Sequence, residues 1–208
     1  MPSRNRRNQP KNKLSRQMGE NIWGRENCPT NTRTYGPGQH GPKGVRRRSD
    51  YGVQLREKQK LKGYYGNIGE KQFRNIFKEA AASKGDTSEN LLALLESRLD
   101  AIVYRSNFVP TVFAARQFIN HKHVMVNGSV VNISSYKCKP GDEIQVNEKS
   151  KSFPFVIDSV QKLERDLPEY INLDVKEFKA TYVRYPSSDE IPYPTMMSPG
   201  SVVEFYSR

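Results

Sequence analysis

The sequence predicts an α+β protein, helical in its first half and carrying a small twisted sheet in its second. Three observations predict it. Apolar residues recur at helical spacing between residues 70 and 99. Beyond residue 120 they shorten to strand-like runs punctuated by Asn127-Gly128 and Lys139-Pro-Gly-Asp142. Hydrophobic residues make up only 35% of the 208, below the usual ~45–50% of a globular chain. There is material for a core, but part of the chain is expected to order only against a partner.

The elements follow in order. Residues 1–48 read as a basic extended arm, because Gly-Pro pairs in Tyr35-Gly-Pro-Gly-Gln-His-Gly-Pro42 exclude a helix there. Residues 1–40 are expected to be largely disordered until a partner binds, being too polar to offset the entropy of ordering. Ser49 or Asp50 can cap a helix to about Lys62, ended by Gly63. Phe73, Ile76, Phe77, Ala80 and Ala81 form one face of a helix over about 70–84. Thr87 can cap the next, striped by Leu91, Leu92, Leu95 and Leu99. Thr111 can cap another, to about Lys122, with Ala114, Ala115, Phe118 and Ile119 facing inward.

Val124–Val126 and Val130–Ile133 then flank Asn127-Gly128, a pair suited to a type I′ turn because both positions need positive φ. Glu143–Val146 is a third strand, and residues 98–148 together read as two helices and a small sheet. A short helix to about Arg165 follows, then strand candidates at 170–174, 180–185 and 202–206.

The charge distribution narrows the function. Net charge is +12, and residues 1–64 hold sixteen Lys and Arg against four Asp and Glu, while the rest hold eighteen of each. Such segregation suits an arm threaded along a polyanion, nucleic acid before acidic lipid, because each neutralised phosphate releases a counterion. No apolar run reaches the ~18 residues of a membrane span, and the basic N-terminus lacks a secretory apolar region. A cytoplasmic protein is expected, with Cys28 and Cys138 as reduced thiols.

Several segments carry a resemblance. Pro37-Gly-Gln-His-Gly41, Ser49-Asp-Tyr-Gly-Val-Gln-Leu-Arg-Glu-Lys-Gln-Lys60, Glu89-Asn-Leu-Leu-Ala-Leu-Leu-Glu96 and Arg98-Leu99-Asp100 are similar to the small-subunit ribosomal protein S-four family. Ala115-Arg-Gln117, His121-Lys122, Met125-Val-Asn-Gly128 and Phe205-Tyr-Ser-Arg208 extend it to the C-terminus. The resemblance implies an α+β architecture in which a helical domain, 49–97 and about 161–208 with C-terminal strands, receives an inserted RNA-binding module at 98–160. It implies direct binding to 16S-type rRNA, early nucleation of subunit assembly, a neighbouring protein S-five and a part in translational accuracy. Contact with mRNA near where it enters the subunit is a further partner expectation, with no membrane and no small-molecule substrate. Two departures stand out. Some relatives hold zinc through an N-terminal cysteine cluster, but here Cys28 stands alone, so no metal and no cofactor is expected. The module's capped helix often begins Thr-Arg, where this chain has Thr111-Val112.

Candidate RNA-binding residues are Arg4, Arg6, Arg7, Lys11, Lys13 and Arg16 of the arm, His40, the triple Arg46, Arg47 and Arg48, and Arg56, Lys58, Lys60 and Lys62 along the first helix. Arg116, Gln117, Asn120, His121 and Lys122 share the polar side of the Thr111-capped helix, and Asn127 adds a contact secondary to its turn. Tyr51 and Gln54, three residues apart and uncharged, suit a protein partner, and the resemblance implies that this end of the helix, with the last expected strand around Glu204 and Tyr206, faces protein S-five. The Arg98-Leu99-Asp100 stretch also occurs in pseudouridine synthases with a catalytic Asp. The Thr-x-Gly segment usual there is replaced by Ala101-Ile-Val-Tyr104, so Asp100 reads as a structural cap or an ion-pair partner and the chain as no enzyme.

Overall fold

The computed structural model describes residues 11–44 and 49–207, without the side chain of Lys11. The candidates Arg4, Arg6, Arg7, Arg46, Arg47 and Arg48 lie outside the described residues. The chain divides into two compact units, one of residues 1–79 and 193–208 and the other of residues 80–192.

The first unit is built on α2 (Asp50–Tyr64), which packs against α9 (Pro199–Ser207). Ser49 caps α2 by accepting a hydrogen bond from the Gly52 amide at 3.3 Å. The strand expected at 202–206 is a helix. Its Val-Val-Glu-Phe-Tyr run has strand propensity, but Val202, Phe205 and Tyr206 also sit at i, i+3 and i+4, and a helical partner surface selects that period. Val202 is fully buried, Phe205 meets the Tyr51 ring at 5.5 Å, and Tyr206 stacks on Phe77 of α3 (Glu70–Ala82) at 4.7 Å.

The arm is also more structured than expected. Residues 11–18 form α1 (Lys11–Met18), and Leu14, Met18, Ile22 and Cys28 are buried. Four apolar anchors spread through a polar segment are enough to dock it. Leu14 lies so close to Gly63 of α2 that a Cβ there would stand 2.5 Å from the leucine side chain. Gly63 therefore serves close approach and lies within α2 instead of ending it, the positive φ beyond the helix falling at Gly66. Trp23 donates its indole N–H to the Tyr64 carbonyl at 3.2 Å.

The second unit opens with α4 (Thr87–Glu96) and α5 (Leu99–Arg105). Asp86, not Thr87, caps α4, accepting from the Ser88 amide at 3.2 Å. Then come α6 (Val112–Asn120) and the strands β1 (Val124–Val126), β2 (Ser129–Val130) and β3 (Glu143–Val146). Short helices α7 (Glu148–Lys151) and α8 (Pro154–Lys162) lead into β4 (Ile171–Asp174) and β5 (Lys179–Tyr182). All five strands make one antiparallel sheet in the order β2-β1-β3-β5-β4.

The boundary expected at residue 160 is thereby corrected. β4 and β5 continue the module's sheet instead of joining the helical domain, and the unit runs from 80 to 192. β3 explains it. With only β1 beside it, its other edge would present unpaired backbone groups, and β5 covers that edge in register Ile144 to Ala180. Phe118, Ile119, Val124, Ile144, Val146, Val156, Ala180 and Tyr182 belong to one buried cluster beneath this sheet.

Candidate nucleic-acid interface

The basic run on α2 was the strongest local signal for phosphate contact, and the structure turns most of it inward. Lys58, Lys60 and Lys62 are only 5%, 3% and 8% exposed. Lys58 and Lys62, one turn apart, reach the two carboxylate oxygens of Glu70 at 2.5 and 2.9 Å. Lys60 meets Glu20 at 3.1 Å and Glu57 at 3.0 Å, and donates to the Met196 carbonyl at 2.8 Å. Arg56 donates to the Met18 carbonyl. These cations hold the first unit together, because a buried ammonium requires its own counter-charge. Partial burial works to raise the Glu70 carboxyl. Hydrogen bonds from Lys58, Lys62 and Tyr206 outweigh it and hold the pKa at about 2, against an ordinary 4.5.

The four residues expected to meet a protein partner are brought together, but largely by bonding within the chain. Gln54 is buried and donates to Glu204 at 2.8 Å, and the Tyr206 hydroxyl donates to Glu70 at 2.9 Å. Tyr51, at 52%, and Glu204 keep a large exposed area, as does Val53 two residues on from Tyr51.

What the first unit does present is a groove lined by Asn12, Lys13, Arg16, Pro29, Arg33, Pro37 and Gly38. Arg16 closes one end, donating to the Gly36 carbonyl at 2.9 Å with its guanidinium 5.1 Å from the Tyr35 ring. Lys13 and Arg33 remain exposed on it. Arg33 was missed, since nothing local separates it from other scattered arginines. His40 is exposed in its loop.

In the second unit α6 divides as its sequence implies. The Thr111 hydroxyl accepts from the Ala114 amide at 3.0 Å and fixes the first turn. Val112, Ala115, Phe118 and Ile119 are buried, whereas Gln117, Asn120, His121 and Lys122 are exposed. Lys122 takes φ +65°, which turns the chain from α6 into β1.

Arg116 departs from its neighbours. It is half-buried, with its Nε 3.7 Å from the Asp100 carboxylate. Asp100, itself 1% exposed, accepts from Arg98 at 2.9 and 2.6 Å. Burial pushes the Asp100 carboxyl up, while the two guanidinium charges pull it back. So enclosed a carboxylate has no access to a substrate, and the ion-pair reading of the Arg98-Leu99-Asp100 stretch fits this geometry.

Asn127 serves its turn. It takes φ +49° ahead of Gly128 at +77°, its amide donates to Asp142 at 2.9 Å, and its side-chain oxygen accepts from the Glu143 amide at 2.9 Å. Tying the hairpin to the 139–142 loop leaves little of this side chain for a ligand.

Among the described residues no group of three or more His, Cys, Asp or Glu could hold a metal, and both cysteines are free and buried. Burial pushes the Cys138 thiol up to about 12. No helix among the described residues is long and apolar enough to cross a membrane.

Comparison with known proteins divides the chain between residues 96 and 97, where the structure's two units divide between 79 and 80. Residues 97–144, which hold α5, α6, the first two strands and the start of the third, match the S4 domain, and residues 6–96 match the ribosomal protein S4/S9 N-terminal domain. The chain is 63% identical to the small ribosomal subunit protein uS4 of Rhizobium meliloti (strain 1021), covering 98% of this chain and 99% of that one. It is 61% identical to that of Bartonella quintana (strain Toulouse) over the same shares, and 60% identical to that of Caulobacter vibrioides (strain NA1000 / CB15N) over 97% and 98%. The chain is thus of the class of ribosomal proteins that carry an S4 domain. Within that class it belongs to the uS4 family, a family of ribosomal structural proteins and not of enzymes.

Proposed function

We propose that the protein is a structural constituent of the small ribosomal subunit that binds 16S-type rRNA directly, nucleates assembly of the subunit body and contributes to translational accuracy. It works in the cytoplasm as part of the ribosome. The observation that carries this reading is the exposed set Gln117, Asn120, His121 and Lys122, held on a capped helix whose other side is core, within the matched S4 domain. Donors and a cation on a rigid face suit an RNA backbone, because their geometry is fixed before binding. Lys13, Arg16 and Arg33 add a basic groove in the first unit, and the remaining arm arginines supply charge without sequence selectivity.

With Lys58, Lys60 and Lys62 paired inside the chain, about 5–8 phosphate contacts remain. The logarithm of the rRNA association constant should then fall with the logarithm of salt with a slope of about −4 to −7. Filter binding to 16S rRNA between low and moderate salt measures it, and a slope shallower than about −2 would sink the reading. The protein should also co-sediment with small subunits after a moderate salt wash.

A further inference from the structure

One surface of the second unit borders this set of polar contacts and shares Gln117 and His121 with it. Between α6, β1 and α8 runs an open groove lined by aromatic rings. Phe118 forms its floor, edge-on to Phe155 at 5.8 Å and 5.0 Å from the His123 ring. Phe153 meets His123 at 5.2 Å, and His121 lies 6.0 Å from His123 at the rim. The groove encloses about 310 Å³, within the range of small-ligand sites.

Three features say what it takes. Phe155 is 42% exposed, although the helix it opens buries Val156 and Val160. A large ring is thus held out at the groove while its neighbours fill the core. Among the described residues no carboxylate lines the groove, and two of its lining residues, Gln117 and His121, belong to the exposed polar side of α6 and its C-cap, with Lys122 next in sequence. An anionic backbone following that face would pass the rim without meeting a negative charge from the lining. Finally, His123 is fixed by a 2.8 Å hydrogen bond between its Nδ1 and Ser150. Burial and the neighbouring His121 lower its pKa from the ordinary 6.5, and the ring so fixed faces the groove.

We infer that this groove receives one unpaired nucleobase of the bound rRNA, stacked on Phe155 with its edge within reach of Gln117 and His121. The inference rests on the rRNA-binding reading and extends it from backbone contact to base capture. Single-stranded and looped bases are the parts of RNA that proteins take onto aromatic rings. The matched S4 domain ends at residue 144, so Phe153 and Phe155 come from outside it.

The test combines a map with an affinity. The full-length protein bound to 16S rRNA is irradiated with ultraviolet light and cleaved after Lys and Arg. Cleavage after Lys151 and Lys162 releases Ser152–Lys162, which holds both rings. A nucleotide adduct on this peptide is expected. Phe155→Ala should weaken rRNA binding by about fivefold to a hundredfold, the usual worth of one stacked base. Phe155→Tyr should stay near wild type, and Phe155→Leu should resemble Phe155→Ala. Wild-type affinity in Phe155→Ala would overturn the inference. So would Phe155→Leu binding as tightly as Phe155→Tyr, since an apolar contact such as a protein segment makes needs no π face. Failure of the wild-type protein to bind 16S rRNA would instead reject the parent reading.

Discussion

Residues 56–62 of α2 and 116–122 of α6 look alike in the sequence, each a polar, basic stretch within or ending a helix, and the fold uses them in opposite ways. On α2 the lysines point inward, each matched to a carboxylate that arrives from elsewhere in the unit. On α6 and the turn after it the apolar residues fill the core and, apart from the half-buried Arg116, the polar ones are left exposed. The difference lies in what stands opposite. α2 is surrounded on several sides and has few apolar residues to bury, so its long side chains lay their methylene stems along the interior while Glu20, Glu57 and Glu70 take the charges. A basic run therefore indicates nucleic acid only where no carboxylate of the same unit can reach it.

The comparison can be broken most severely from the core side of α6. Phe118→Ala should cost about 3–5 kcal/mol of stability, because the ring is 3% exposed and packs on His123 and Phe155. Chemical denaturation measures this, and a loss below about 1 kcal/mol would mean that the division of faces on α6 is wrong.

The lysines of α2 give the next largest effect. Glu70→Ala removes the counter-charge shared by Lys58 and Lys62, and should destabilise by about 2–3 kcal/mol, less than a fully enclosed pair because Glu70 is 47% exposed. The same pairing makes a pH signature. The folded pKa of about 2 lies below the ordinary 4.5, so the stabilisation is complete above about pH 4.5 and is lost as pH falls towards 2. In Glu70→Gln the loss of stability across that window should be shallower than in the wild type. An unchanged acid limb would show that the lysines do not depend on this carboxylate.

How legible these features were depends on the range of the interactions behind them. Thr111 as a cap, Asn127-Gly128 as a hairpin turn and the bounds of Glu143–Val146 were readable because neighbouring residues decide them. The fate of Lys58, Lys60 and Lys62 was not, since Glu70 stands 12 and 8 residues from Lys58 and Lys62, and Glu20 stands 40 from Lys60. The last helix was misread because its residues satisfy both periods and only its partner surface decides. The aromatic groove was missed for a similar reason: its rings come from α6, the start of β1 and α8, and only the clustering of His121, His123, Phe153 and Phe155 hinted at it.

Two substitutions on α6 sharpen the comparison at lower energy. Arg116→Ala should cost about 1 kcal/mol of stability, since it removes the outer of the two guanidinium groups facing Asp100, and should weaken rRNA binding modestly. Lys122→Ala should leave stability within about 0.5 kcal/mol, weaken rRNA binding by about 1 kcal/mol, and make the salt slope shallower by about one. If the two variants had equal stability, Arg116 would be an ordinary surface residue after all.

The smallest expected effect lies at the N-terminal end of α2. Of the residues expected there as a partner surface, Gln54 bonds to Glu204 and Tyr206 to Glu70, while Tyr51 and Glu204, with Val53, stay exposed. Tyr51 meets Phe205 on one side only, so its remaining surface is the part that a neighbouring subunit protein, S-five in our reading, would cover. A contact worth about 1–2 kcal/mol between two subunit conformations would shift their populations about five- to thirtyfold. Tyr51→Asp places an unpaired carboxylate in such a contact while leaving the Gln54–Glu204 bond available to hold the two helices. Stop-codon readthrough should therefore rise in cells carrying only this variant, with incorporation into small subunits near normal. Tyr51→Phe keeps the ring and should leave readthrough unchanged. If Tyr51→Asp also left readthrough unchanged in normally assembled subunits, Tyr51 would be no more than a cover for Phe205, and accuracy would have to be sought on another face.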